Sequence, residues 1–119
     1  ADPFCGTGNI AIEAALWGRH MAPGKMRAFA AEHWPPFSPK VWRTAREEAT
    51  DLASPALPLR ILATDVDAEA LKLARYHAEQ AGVADDIHFQ QHDFREFSSS
   101  RQYGCVICNP AYGKRIGAS

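Results

Sequence analysis

Asn109-Pro110-Ala111-Tyr112 is the segment of this sequence with the most specific chemistry. The exocyclic amino nitrogen of a nucleobase is a poor nucleophile, because its lone pair is delocalised into the ring. The Asn109 side-chain oxygen and the Pro110 carbonyl can each accept one of its two protons. That pair of acceptors biases the nitrogen toward a pyramidal geometry and aims its lone pair at an electrophile. Pro110 has a fixed φ and no N–H, which holds its carbonyl in place. Tyr112 offers a ring on which the base can stack, worth roughly 1–3 kcal/mol in nucleic-acid binders. Alone, the tetrapeptide reads equally as an Asn-Pro turn beside a surface tyrosine. Three other clusters tip the balance toward chemistry.

The run Gly6-Thr7-Gly8-Asn9-Ile10-Ala11 fits the loose dinucleotide pattern G-x-G-x-x-A. A nicotinamide cofactor is disfavoured on two grounds. The acidic residue expected about twenty positions on should close a strand, but Glu32 falls in an aromatic loop. Asp2, just before the glycines, would oppose a pyrophosphate and suits a ligand with a cationic end. S-adenosylmethionine has a sulfonium, an ammonium and no phosphate. Asp65 closes an apolar run, where its carboxylate can accept from both ribose hydroxyls, while Asp67 caps the helix that follows. Asp93 closes another run and can accept from an adenine amino group, with Phe94 or Val66 against the ring.

Other chemistries are poorly supported. Cys5, Cys105 and Cys108 are an odd count for a disulfide framework. Cys105 and Cys108 have C-x-x-C spacing, but one isolated pair half-fills a tetrahedral metal site. On a strand, side chains three apart point to opposite faces, so buried reduced thiols are expected. His88 and His92 are four apart with no ligand partner at suitable spacing, and no metal site is expected. His20, His33 and His77 read as surface or packing residues. No Ser-His-Asp or Cys-His set stands out. Lys114 and Arg115 can meet phosphates at the mouth of a site, or simply be solvated.

These residues need a scaffold that brings them together. The 119 residues are 46% hydrophobic, enough for a core. Thirteen basic against fourteen acidic residues exclude a basic nucleic-acid arm or an acidic tail, and 23% charged with 10% aromatic residues argues against a wholly disordered chain. No apolar run reaches the roughly 18 residues of a membrane span, and nothing at the start reads as a signal peptide. The chain opens without Met on a loop motif and reads as an excerpt.

Helical spacing predicts a helix from about Asn9 to about His20, stopped by Ala22-Pro23-Gly24. Residues 25–37 read as an ordered loop pinned by its rings. Ser38-Pro39 starts a helix running to about Leu52, with Val41, Trp42, Ala45, Ala49 and Leu52 on one side. Leu59 to Thr64 reads as a buried strand. Asp67 caps a helix from Ala68 to Ala81 with Leu71, Ala74, Ala78 and Ala81 inward and Gly82 as its stop. Ile87–Gln91 and Cys105–Cys108 complete the strands. This rhythm predicts an α/β fold, a Rossmann-like open parallel sheet present only in part. All four clusters fall at C-terminal strand ends, where such sheets bind ligands.

Asp2-Pro3-Phe4-Cys5-Gly6-Thr7-Gly8 together with Asn109-Pro110-Ala111-Tyr112-Gly113-Lys114-Arg115 resembles the class I S-adenosylmethionine-dependent methyltransferases acting on base amino groups. Ala22-Pro23-Gly24, Phe29-Ala30-x-Glu32-x-Trp34-Pro35 and the helix with Trp42 are similar to an insert of bacterial THUMP-domain RNA methyltransferases, which include large-subunit ribosomal RNA guanine-N2 methyltransferases. The resemblance covers nearly the whole chain. It implies that Asp2, Gly6 and Gly8 hold the methionine end of the cofactor. Asp65 would take the ribose, and Asp93 with Phe94 the adenine, with Phe4 and Val66 also among the cofactor-binding residues. Asn109 and Pro110 would bind the target amino group, with Tyr112 against the base. The family usually has a second proline where this chain has Ala111, which implies a looser turn.

The resemblance further implies that residues 1–119 are a partial methyltransferase domain, its cofactor-binding half, with the aromatic insert at about 22–37. The THUMP region and the later strands are absent, and the isolated chain is expected to be a poor enzyme. The reading is methyl transfer from S-adenosylmethionine to RNA, foremost guanine N2 of ribosomal RNA, in the cytoplasm, with no membrane partner. Adenine N6 in DNA or RNA, or a non-catalytic binding module on the same fold, are the alternatives.

Overall fold

A computed structural model describes residues 1–111. Its regular elements are α1 (Asn9–Gly18), α2 (Pro39–Leu52), β1 (Ile61–Asp65), α3 (Ala68–Ala81) and β2 (Ile87–Gln91), with 3₁₀ turns at Ala30–His33, Ala84–Asp86 and Phe94–Glu96. β1 and β2 pair in parallel, from Ile61 opposite Ile87 to Asp65 opposite Gln91.

Hydrogen bonds extend this sheet on the β1 side. Asp2 N–H donates to the Leu62 carbonyl and Thr64 N–H donates to the Asp2 carbonyl, both at 2.9 Å, a parallel bridge to Ala63. Ala1 bonds the other way: its amine donates to the Cys105 carbonyl at 2.7 Å, and Ile107 N–H donates to the Ala1 carbonyl at 3.0 Å. Those two bonds straddle Val106, which is the parallel pattern again. The lateral order is therefore 105–107, 1–2, β1, β2, all running the same way.

The predicted Cys105–Cys108 strand is not a regular strand. A strand needs a partner along its length, and this segment has one ladder step, against Ala1. Val106 and Ile107 are accordingly exposed, and so is Cys105, whereas Cys5 is buried. The expectation of buried thiols therefore holds only for Cys5.

The core forms where α1 and α3 pack on β1 and β2. Ala11, Ala15 and Leu16 of α1 meet Leu71 and Ala78 of α3 over Ala63 and Ile87. α3 has its predicted bounds. Asp67 accepts from the N–H groups of Glu69 and Ala70 at its start, and Gly82 closes it with φ 78°. α1 ends two residues short of expectation. His20 turns left-handed at φ 53°, and Met21 N–H reaches back to the Leu16 carbonyl at 2.9 Å, a glycine-like closure built without glycine.

α2 also has its predicted bounds, but its predicted stripe is not a core face. No residue of α2 is buried, and Val41 and Leu52 are exposed. Ser38 stands at the N-cap without a side-chain capping bond, leaving Pro39 as the start signal. The helix packs on the aromatic loop instead: Phe29 stacks on Trp42 at 5.9 Å, and Phe37 meets Trp42 edge-on at 6.2 Å. Arg46 fastens that loop by donating to the carbonyls of Lys25 and Arg27 and to Glu32. Segment 25–37 is thus pinned by its rings, as expected, and clipped by an arginine that ring counting does not reveal.

Arg19 and Asp86 join the end of α2 to the core. Arg19 Nη1 pairs with Asp86 Oδ2 at 3.0 Å and also donates to the Gly82 carbonyl. Its Nε donates to the Ser54 carbonyl, and Asp86 Oδ1 accepts from Leu57 N–H. Both side chains are largely shielded from water. Asp86→Ala strands a guanidinium and an amide, and the expected loss is about 3–5 kcal/mol of unfolding free energy. Urea denaturation measures it as a lower midpoint at unchanged slope.

Candidate functional site

The glycine loop sits where three chain segments leave the sheet together. Asp65 ends β1 and turns its carboxylate back under the loop: Oδ2 accepts from Gly6 N–H and Oδ1 from Asp67 N–H, both at 2.9 Å. Cys5 N–H donates to the Thr64 carbonyl at 2.9 Å, so loop and strand end are tied at two points. His77 of α3, expected to be a plain surface or packing residue, lies with Nδ1 3.2 Å from the Thr7 carbonyl.

The two glycines serve different ends. Both have positive φ, 53° at Gly6 and 91° at Gly8. A Cβ on Gly8 would stand 3.1 Å from Ala74 Cβ and 3.2 Å from Ile12 Cδ1, while one on Gly6 would meet nothing within 4 Å. Gly8 lets the loop lie on α3, and Gly6 leaves open space above it. Gly8→Ala combines left-handed strain, about 1–2 kcal/mol, with overpacking of about 1–3 kcal/mol. Gly6→Ala carries the first cost alone. Thermal or urea unfolding should rank Gly8→Ala clearly below Gly6→Ala.

Asp2 is buried, at 2% exposure, and accepts from Phe4 N–H at 3.1 Å. Burial raises its pKa; the Phe4 N–H opposes the rise, and the nearby Asp65 charge adds to it. A carboxylate kept here against desolvation suits a cationic ligand group. The same burial and the same two acids push the Cys5 thiol up to about 12, so it is no nucleophile.

Beyond Asp65 lies a hollow of about 440 Å³ lined by Pro3, Phe4, Asp65, Val66, Asp93, Phe94 and Arg95, within the size range of small-molecule sites. Phe4 and Phe94 face each other at 4.8 Å, and Gln91 Nε2 donates to the Val66 carbonyl at 2.9 Å, steadying that wall. Five residues expected from sequence therefore share one hollow. Asp93 caps the turn Phe94–Glu96, and both its oxygens accept from the Arg95 guanidinium. Those Arg95 bonds, with its backbone N–H, hold Asp93 down to about 2. Arg95 and Pro3 are lining residues that sequence reasoning missed. An arginine two places after a strand-end aspartate is the sequence signal for the first.

Asn109 and Pro110 are exposed. They follow the segment paired with Ala1, so they leave the sheet at the end from which Pro3 and Phe4 leave. Tyr112, Lys114 and Arg115 lie outside the described residues. Among the described residues, no three His, Cys, Asp or Glu side chains form a group able to hold a metal ion.

Comparison with known proteins bears on the family and the fold. A family model described as "RMKL-like, methyltransferase domain" matches residues 1–119. The "Ribosomal RNA large subunit methyltransferase K/L" of Legionella pneumophila (strain Philadelphia 1) is 36% identical over 117 residues, covering 98% of this chain and 16% of that protein. The crystal structure of "SMU.472, a putative methyltransferase complexed with SAH" is 36% identical with a TM-score of 0.89, covering 97% of this chain and 30% of its own. That of "a predicted N6-adenine-specific DNA methylase from Listeria monocytogenes str. 4b F2365" is 44% identical with a TM-score of 0.89 at the same coverage. The α/β fold is thus part of a larger Rossmann-like one in these structures, and this chain spans less than a third of each protein named.

Proposed function

Because the chain belongs to the family of RMKL-like methyltransferase domains, we propose that it is the cofactor-binding portion of a longer enzyme that methylates a base amino group in RNA, with S-adenosylmethionine as donor. The observation that carries this reading is the single hollow shared by Phe4, Asp65, Val66, Asp93 and Phe94. S-adenosylmethionine, when bound, supplies an electrophilic methyl on a sulfonium.

The chain's own residues supply binding and orientation. Each Asp65 oxygen, already accepting one backbone N–H, keeps a lone pair for a ribose hydroxyl. Phe4, Phe94 and Val66 give adenine apolar walls. Asp93 remains a carboxylate at any working pH and accepts from the adenine amino group on the side Arg95 leaves open. Asp2 offers negative charge toward the ammonium, and the space above Gly6 admits the methionine chain. Asn109 and the Pro110 carbonyl accept the two protons of the target amino group, and Tyr112 stacks on its ring. No metal and no covalent nucleophile takes part. Orientation carries the rate, with the target base unpaired or flipped.

RNA is favoured by the relative named for large-subunit ribosomal RNA, and guanine N2 by the aromatic insert. The Listeria protein named as an N6-adenine DNA methylase supports adenine N6 as a second reading. Among the described residues no helix is long and apolar enough to cross a membrane; the relative named for ribosomal RNA supports assigning the enzyme to the cytoplasm. Titration of the longer protein with S-adenosylhomocysteine, then labelled methyl transfer to ribosomal RNA with nucleoside mass spectrometry, tests the reading. Binding followed by N2-methylguanosine supports it. N6-methyladenosine alone would favour the second reading, and binding without transfer to any nucleic acid would leave a binding module.

A further inference from the structure

The aromatic insert and the start of α2 make no part of the hollow, yet they differ from the rest of the chain in charge. Residues 21–46 carry five basic side chains and one acidic, whereas the other residues carry eight basic and thirteen acidic. The one acid, Glu32, is paired with Arg46, whose hydrogen bond holds Glu32 below the usual carboxylate range. That leaves Lys25, Arg27, Lys40 and Arg43 as the excess. Among the described residues none of these four is in an ion pair. Lys40 and Arg43 are both exposed and, three apart on α2, lie side by side.

The rings beside them are open to solvent. Trp34 is 57% exposed and Phe37 42%, with centroids 6.4 Å apart. The ladder continues through Trp42 to Phe29, where the Arg27 guanidinium lies 4.8 Å over the ring. Exposed stacking surfaces interleaved with unpaired cations are how proteins bind single-stranded nucleic acid, whose unstacked bases need a π-face and whose phosphates need positive charge. A purely apolar partner would leave the cations unanswered, and an acidic peptide would leave the rings unstacked.

We propose that this insert is an RNA-contact arm, in which Trp34 and Phe37 stack on unpaired bases while Lys40 and Arg43 meet the flanking phosphates. The arm would hold a substrate strand from outside the hollow, and as a substrate-holding device it rests on the RNA reading above. Its local structure suits the task, because Arg46 fixes the loop to α2 and the ring platform is ordered before any strand arrives.

The test uses the longer protein and a fluorescein-labelled single-stranded RNA 20-mer of mixed sequence, with affinity measured by anisotropy from 50 to 300 mM salt. Lys40→Glu/Arg43→Glu should weaken binding at least tenfold and flatten the slope of log K against log salt by about 1–2. Trp34→Ala should weaken binding about tenfold with the slope unchanged. Both variants should keep the parent melting temperature and S-adenosylhomocysteine affinity. Unaltered RNA affinity in both would overturn the proposal. So would a lowered melting temperature without an RNA effect, which would place the rings against another part of the protein. A changed sedimentation coefficient would place them against a second copy. If the parent binds no S-adenosylhomocysteine, the methyltransferase reading fails while the RNA measurement still decides the arm.

Discussion

Asp65→Ala in the longer protein is expected to weaken S-adenosylhomocysteine binding by about two to four orders of magnitude, from two hydrogen bonds to a charged acceptor at about 1.5–3 kcal/mol each. The carboxylate has two duties. It accepts from Gly6 N–H and Asp67 N–H, shaping the loop and the entry to α3, and it lines the hollow. Alanine removes both duties. Asp65→Asn keeps one oxygen acceptor and replaces the other with an NH₂, which cannot accept from Gly6 or from a hydroxyl. Its affinity should therefore fall between wild type and alanine. Calorimetry measures the ordering, with a melting curve on each variant to show that the fold survives. Equal affinity in all three would remove Asp65 from the cofactor site.

The second large effect is on rate alone. Asn109→Ala should lower kcat by about 10²–10³-fold, the scale found when one preorganised hydrogen-bonding group at a reacting centre is lost, and leave S-adenosylhomocysteine affinity unchanged. The segment meets the sheet through Ala1, by the Cys105 and Ile107 bonds, and Asn109 is exposed beyond it. A melting curve on the variant shows whether the fold survives the truncation. Single-turnover transfer with saturating donor isolates the step. A drop in cofactor affinity matching the drop in rate would move Asn109 from the base to the cofactor, and an unchanged rate would remove it from the site.

How much of this was legible depended on how local the signal was. α3 was readable to the residue because both its stops are chemical: Asp67 accepts two backbone N–H groups and Gly82 takes a left-handed φ. β1 was readable as a short apolar run, although it starts at Ile61 rather than Leu59 and takes in Asp65, and β2 was readable from the strand that ends before Asp93. The 105–108 segment looks the same in composition, but a strand is a property of its neighbours, and one ladder step does not make one. The apolar stripe of α2 correctly marked a packing face and wrongly implied the core, since periodicity says which side is apolar and not what covers it. The rings of the insert supply that cover.

The site shows the same division. Asp65, Phe4 and Phe94 were placed by type and position, and the fold brings them to one hollow. Asp93 was read as an acceptor for adenine, whereas the structure first gives it a turn to cap and Arg95 to bind. The two uses are compatible, because a carboxylate has about four acceptor positions. The Asp65–Gly6 bond spans nearly sixty residues of sequence, so no local pattern announces it. It is nevertheless one of the two contacts that fix the glycine loop over the end of β1.

A crystal structure of the longer protein with S-adenosylhomocysteine bound is the most direct test. Ribose hydroxyls are expected on the Asp65 carboxylate, adenine against Phe94 and Val66 within reach of Asp93, and the sulfur facing Asn109. Ligand density in any other hollow, with the Phe4–Phe94 cleft empty, would contradict that placement.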